Sequence, residues 1–134
     1  MCAAARSGNL DRMQTRCIVV RILPGRGEAA RELVSELAGS RRAEQEFSAR
    51  RIGARSVTWS LGGGPVEGEL LIGEIDGTDL GNALDLLRIS LAPHDLWFKR
   101  RFVALTGIDL NEPQQLVSGD DSSQALLHAP ATAG

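Results

Sequence analysis

The apolar and polar positions of residues 15–23 have the pattern of a strand that is buried on both faces. Residues of both parities are apolar or β-branched in this stretch, as in strands that are covered on both sides. The turn pair Pro24-Gly25 ends the strand. A helix is predicted to follow, because apolar residues recur there at the spacing of one helical face. These residues are Ala30, Leu33, Val34, Leu37 and Ala38.

Residues 40–75 predict a second helical segment and then a β-hairpin. Ser40 is a candidate N-cap for a helix that reaches about Arg51. Residues 55–61 alternate strictly between apolar and polar side chains, which is typical of a half-buried strand. A second strand is predicted at 67–75, and the glycine-rich stretch between the two strands is their turn.

Two further helices are predicted after the hairpin. Thr78 is the candidate N-cap of the first, which carries a leucine-rich apolar stripe. Pro93 begins the second, because a proline in the first helical turn loses no hydrogen bond. Gly107 is predicted to end this helix. A short last strand is predicted at 115–117.

The order of these elements predicts an α+β fold of the ferredoxin-like type, βαββα(α)β. Such a chain forms one antiparallel sheet with the helices on one face. The first and third strands are nevertheless apolar on both faces. The face without helices then needs a partner, and a second copy of the chain provides the simplest one. The pattern therefore predicts a homodimer.

The domain is predicted to span residues 14–118. Residues 1–13 and 119–134 are small and polar without periodicity, so both are expected to be disordered. Met13 is a candidate true start. A chain of 134 residues with 43% hydrophobic and 24% charged residues has the composition of one globular domain. Abundant alanine, arginine and glycine, with no tyrosine, suggest a bacterial source.

Net charge bears on which partners the protein binds, and cysteine content bears on the redox state of its cellular compartment. The net charge of −2 gives no electrostatic basis for binding nucleic acid or an anionic membrane. Lys99-Arg100-Arg101 is a short basic run and is interpreted as a solvated helix face. Cys2 and Cys17 form neither a disulfide framework nor a zinc pattern, which favours a reducing cytoplasm.

Two short motifs resemble the dimeric α+β barrel superfamily, which includes antibiotic-biosynthesis monooxygenases, polyketide cyclases and small stress-response proteins. They are Leu23-Pro24-Gly25 and Ala92-Pro93-His94-Asp95, and the resemblance covers about residues 15–118. Within the superfamily the chain is similar to a family of uncharacterised small bacterial proteins with a His-Pro-x-Asp helix start and a second histidine one turn later. Pro93 and Asp95 match that pattern, whereas Ala92 and Phe98 stand at the two histidine positions.

His94 is the candidate catalytic residue. It is the only histidine in the predicted domain, and an imidazole titrates near neutral pH. The resemblance to the cyclases implies a base that removes a proton next to a carbonyl. A helix N-terminus disfavours the charged imidazole, which suits a base. The alternative is an exposed first-turn histidine without a catalytic role.

The candidate ligand-binding residues are Trp59, Trp97, Arg21 and Asp95. The two tryptophans are expected either to form walls of an apolar pocket that stacks a planar ligand or to be ordinary core residues. Arg21 interrupts an apolar strand. It is expected either to anchor a ligand or to pair with Glu74 on the sheet face and set the register of the dimer.

No cofactor or metal is predicted. The stretch 25–30 fits the dinucleotide pattern G-x-G-x-x-A after a strand. Pro24 stiffens the turn, and no acidic residue ends a second strand at the required distance, so this interpretation is rejected. Two histidines without clustered carboxylates make a metal site improbable.

Two functional hypotheses follow from these residues. The first is a small-molecule binding protein or cofactor-free enzyme that acts on a carbonyl or polyketide-like compound by proton transfer or as a monooxygenase. The second is a non-catalytic homodimer. A pocket of several hundred cubic ångströms lined by His94 and a tryptophan would favour the first hypothesis, and a packed interior would favour the second.

Overall fold

The computed structural model describes residues 15–64 and 68–114, together with the backbone of two short strands at 117–118 and 124–127. These residues form an α+β fold, as the sequence predicts. In chain order the elements are β1 (Thr15–Arg21), α1 (Gly27–Ala38), α2 (Arg42–Arg51), β2 (Ser56–Gly64), β3 (Gly68–Asp76), α3 (Leu80–Ile89), α4 (Pro93–Thr106), β4 (Val117–Ser118) and β5 (Gln124–Leu127).

Three strands form an antiparallel sheet in the order β2-β3-β1. β3 pairs with both of its neighbours, so β1 and β2 point the same way with β3 between them. This part of the sheet is compatible with the split β-α-β arrangement that the element order predicts. β2 lies at the edge of the sheet.

The far side of β1 differs from the predicted arrangement. The neighbouring strand there is β5, which pairs with β1 in parallel, and β4 pairs with β5. An antiparallel last strand at 115–117 was expected instead. Strands of two and four residues carry too little pattern for their pairing to be predicted, and the free edge of β1 decides it. β5 lies within the stretch 119–134 that was assigned to a tail, while residues 1–14 and the remainder of that stretch lie outside the described residues.

The hydrophobic core lies between the helices and one face of the sheet. Ile18 and Val20 of β1 and Leu71 and Ile75 of β3 belong to it. Ala38 of the predicted α1 stripe is exposed, but most residues of the stripes predicted for α1, α3 and α4 are buried. They include Ala30, Leu33 and Leu37 from α1, Ala83 and Leu87 from α3, and Phe98, Phe102 and Leu105 from α4.

The helix ends agree with the sequence in part. Gly107 ends α4 in the left-handed conformation, at φ 79°. The N-cap of α3 is Asp79 rather than Thr78, since the Asp79 carboxylate accepts a hydrogen bond from the Asn82 backbone N–H at 2.7 Å. Adjacent cap-competent residues compete for this position, and the backbone geometry selects one. At α2 the N-cap is Arg41, without a side-chain cap, and not Ser40.

The sheet face away from the helices is partly apolar. Val19 lies opposite Ile72 on this face, and Leu70 lies opposite Arg21. Val19 is already buried within one chain, whereas Leu70 and Ile72 are half-buried. Cys17, on the same face, is buried and disulfide-bonded, which corrects the prediction that the cysteines serve no disulfide.

Candidate functional site

Asp95 is the centre of a buried polar cluster at the start of α4. Its side chain has no exposed surface. The carboxylate accepts hydrogen bonds from the hydroxyls of Ser48 and Ser90, each at 2.6 Å, and from two guanidinium nitrogens of Arg51 at 3.0 and 3.1 Å. Burial alone would raise the pKa of Asp95, but these hydrogen bonds outweigh it and lower the pKa. Asp95 is therefore ionised and fully satisfied by protein groups.

Lys99 lies one turn further along α4 and is also buried, with 1% of its surface exposed. Its ammonium group donates to the backbone oxygens of Leu87, Arg88 and Ser90 at 2.8, 3.0 and 3.1 Å. These carbonyls belong to the end of α3, where backbone oxygens have no partner within the helix. The interpretation of Lys99 as part of a solvated face is therefore wrong, and its role is to hold α3 against α4. Asp95, Ser48, Arg51, Ser90 and Lys99 are called the Asp95 cluster below.

His94 is buried beside this cluster, with 5% of its surface exposed. Its Nε2 lies 2.9 Å from the Gln45 side-chain oxygen, which can only accept, so Nε2 carries the proton. Its Nδ1 lies 3.4 Å from a guanidinium nitrogen of Arg41, which can only donate. Burial lowers the pKa of His94, against the attraction of Asp95 and with the repulsion of Arg41. The imidazole is therefore neutral, as the helix-start argument predicts, but both of its nitrogens are bonded to protein groups.

Trp97 packs on the outer side of the same helix. Its ring lies 5.4 Å from that of His94, and the guanidinium carbons of Arg41 and Arg101 lie 3.8 and 5.1 Å from its centroid. A guanidinium group over the face of an indole ring is attracted by the ring electrons, and this contact stabilises the tryptophan. Trp97 thus binds arginines of its own chain.

Trp59 lies elsewhere, on the helix-facing side of β2. It packs against Phe98 and Phe102, with ring centroids 5.4 and 5.8 Å apart. Its ring lies flat over Gly73 of β3, where an added Cβ would come within 2.7 Å of the indole. A side chain at residue 73 would therefore displace Trp59, which explains the glycine.

A cleft of about 590 Å³ lies beside Trp59, between α1, α2 and β2. Its apolar wall is formed by Val34, Leu37, Ala49, Val57 and Trp59. Its polar lining includes Arg42, Gln45, Glu46, Arg50 and Arg55. An interior void behind it shares Gln45, Val57 and Trp59 with the cleft, but it measures only about 30 Å³, so the core itself is packed.

The five predicted site residues thus fall into three places. His94, Asp95 and Trp97 lie together on α4, as their sequence spacing requires. Trp59 lines the cleft, which has neither His94 nor Trp97 in its lining. Arg21 is exposed on the opposite sheet face, and the register places Leu70 rather than Glu74 beside it.

Several residues of the site had no role in the sequence predictions. Ser48, Arg51 and Gln45 lie on α2 and acquire their partners only when α2 packs against α4. Lys99 had a usable signal, because it falls within the stripe of Asp95, Phe98 and Phe102 that α4 buries. A charged residue inside an apolar helical stripe indicates a buried ionic contact.

The described residues hold no group of three or more histidine, cysteine, aspartate and glutamate side chains that would bind a metal ion. Among the helices of this part of the chain, none has both the length and the apolar character needed to cross a bilayer. No family model, curated protein or solved structure matches the chain. The likeness to the dimeric α+β barrel superfamily accordingly stays a prediction from the two motifs.

Proposed function

We propose that this protein binds a small organic molecule in the cleft between α1, α2 and β2. The cleft of about 590 Å³ carries this proposal, because its volume lies within the range of roughly 300–1,000 Å³ that is typical of small-molecule sites. Trp59 contributes apolar surface to the lining.

The arrangement favours binding over proton transfer at His94. A catalytic base needs a free lone pair within reach of the substrate proton. The Nδ1 lone pair of His94 faces Arg41, and its Nε2 proton is bound to Gln45. We therefore propose that His94 orients Gln45, which lines the cleft, and that cyclase-like or monooxygenase-like chemistry does not run through this histidine.

The binding experiment uses Nile red, a neutral apolar dye, and two variants that differ in position. Ala38 and Ala43 are both exposed on helices, but only Ala38 lines the cleft. We expect saturable binding of one dye per chain, weakened by Ala38→Phe and unchanged by Ala43→Phe. The absence of saturable binding, or equal effects of the two variants, would overturn the proposal.

We further propose that two copies associate through the sheet face away from the helices, as in a dimeric α+β barrel. Leu70 and Ile72 remain half-buried on that face, which supports a partner. Sedimentation should give twice the chain mass. Ile72→Asp should yield a monomer, because a buried unpaired charge is costly, whereas Ile89→Asp, at a 60% exposed residue of α3, should not. A monomeric wild-type protein would refute the dimer.

A further inference from the structure

We propose that the ligand of the cleft is an organic acid with an apolar body, whose carboxylate is bound by the arginines of the lining. This inference rests on the proposed binding function and adds the charge of the ligand. It is carried by the distribution of charges and apolar groups around the cleft.

The lining is cationic although the chain as a whole is acidic. Among the described residues, α2 contributes two arginines to the lining, Arg42 and Arg50, and one acid, Glu46. The chain carries a net charge of −2. A local excess of positive charge on an acidic protein concentrates anions at that site. Guanidinium groups also bind carboxylates with two parallel hydrogen bonds.

The stability of α2 does not account for Arg42. This residue is the first of the helix, where the macrodipole disfavours a cation. Its ion pair with Glu46, at 3.5 Å, joins two side chains that are 73% and 60% exposed, and such pairs contribute little. Arg42 therefore contributes little to the stability of α2, and its position in the lining favours the binding of an anion in the cleft.

The second arginine of the lining comes from the C-terminal end of α2. Arg50 and Arg51 both lie in the last turn, but Arg51 is bound to Asp95, whereas Arg50 lines the cleft. The guanidinium carbon of Arg50 lies 5.6 Å from the exposed ring of Phe47. Arginines thus stand at both ends of the helical face that borders the cleft.

Gln45 supplies a neutral donor between these arginines. Its side-chain oxygen accepts the Nε2 proton of His94, which leaves the amide NH2 as the part that can donate to a ligand. Opposite, Val34, Leu37 and Trp59 provide apolar contact area. An acid with an aliphatic or aromatic body matches both halves of this lining.

The test compares each acid with the alcohol of the same skeleton: decanoate with decanol, and 2-naphthoate with 2-naphthylmethanol. Displacement of Nile red is measured at low salt. We expect at least one acid to bind about 10-fold more tightly than its alcohol and to lose this advantage near 0.5 M NaCl. If only the decanoate pair differs in affinity, the ligand has an aliphatic body; if only the naphthoate pair differs, the body is aromatic.

Variants identify the groups that bind the carboxylate. The double variant Arg42→Gln/Arg50→Gln should weaken binding of the acid by about 10-fold and leave the alcohol unchanged. Arg100→Gln, at an exposed arginine outside the lining, should change neither. Equal affinities for acid and alcohol in both pairs, or an unaffected double variant, would overturn the inference while binding of Nile red upholds the proposed function. Failure of Nile red to bind would refute both.

Discussion

The Asp95 cluster and the cleft contain similar charged side chains, yet the two regions use them differently. In the Asp95 cluster every described charge is matched by protein groups: three residues donate four hydrogen bonds to the carboxylate, and three backbone oxygens accept from Lys99. In the cleft, Arg42 and Arg50 line a space of about 590 Å³, and Arg42 has an exposed ion pair with Glu46. Both regions share α2, which presents Ser48 and Arg51 to one and Arg42 and Arg50 to the other.

The difference follows from solvation. A charge in a dry interior must be paired by the protein, because its desolvation is expensive. A charge beside an open space remains hydrated until a ligand replaces the water. The satisfied cluster is thus expected to contribute to stability, and the exposed arginines Arg42 and Arg50 support the proposed binding site. His94, the predicted catalytic residue, lies beside the satisfied cluster and has both ring nitrogens in contact with protein groups, and its catalytic role stays a prediction.

Removal of the Asp95 carboxylate should have the largest effect. Asp95→Ala leaves Ser48 and Ser90 without their acceptor and Arg51 without its ion pair, so we expect a loss of about 3 kcal/mol in the free energy of unfolding. Urea denaturation measures it. Asp85→Ala removes a 70% exposed acid from α3 and should cost less than about 0.5 kcal/mol. Equal losses would mean that the Asp95 cluster contributes no more than the surface.

Replacement of Lys99 should cause the second-largest loss of stability. Lys99→Met preserves the length of the side chain but removes the donor for three carbonyl oxygens, and we expect a loss of about 2 kcal/mol. Arg100→Met alters the adjacent exposed residue of α4 and serves as the control in the same denaturation series. A stable Lys99→Met variant would show that water satisfies the end of α3 equally well.

His94 should make stability depend on pH. Because its pKa is lowered in the folded state, the unfolded chain binds more protons as the pH falls below the ordinary value of about 6.5. The folded protein should therefore lose stability between pH 7 and 5. His94→Gln should lower stability at pH 7, contrary to the small cost expected of an exposed histidine, and should flatten this dependence. An identical slope in both proteins would contradict the neutral, buried imidazole.

The smallest effect is expected in the cleft. Arg42→Gln removes an exposed charge from the unfavourable end of α2, so the free energy of unfolding should change by less than about 0.5 kcal/mol. Thermal melting of this variant beside Asp95→Ala sharpens the contrast between the two regions. A large loss would place Arg42 among the structural residues and weaken the case for a ligand.

Much of the fold follows from local pattern. The spacing of Ala30, Leu33 and Leu37 predicted a helix and its buried face, and the glycine-rich turn predicted the hairpin of β2 and β3. Gly107 marked a helix end because only a residue that tolerates positive φ ends a helix in this way. The pairing of β5 with β1 was beyond such reasoning, since four residues specify no register of their own.

The sequence by itself determined the helices α1 to α4 and the strands β1 to β3, because apolar periodicity is a property of neighbouring residues. It also placed His94, Asp95 and Trp97 at the start of one helix. Only the tertiary structure decided what surrounds them. The Asp95 carboxylate is satisfied within the chain because α2 and Ser90, just after α3, bring hydroxyls and a guanidinium to it. The cleft depends on residues of α1, α2 and β2 that lie far apart in the chain, and no local pattern encodes the space between them.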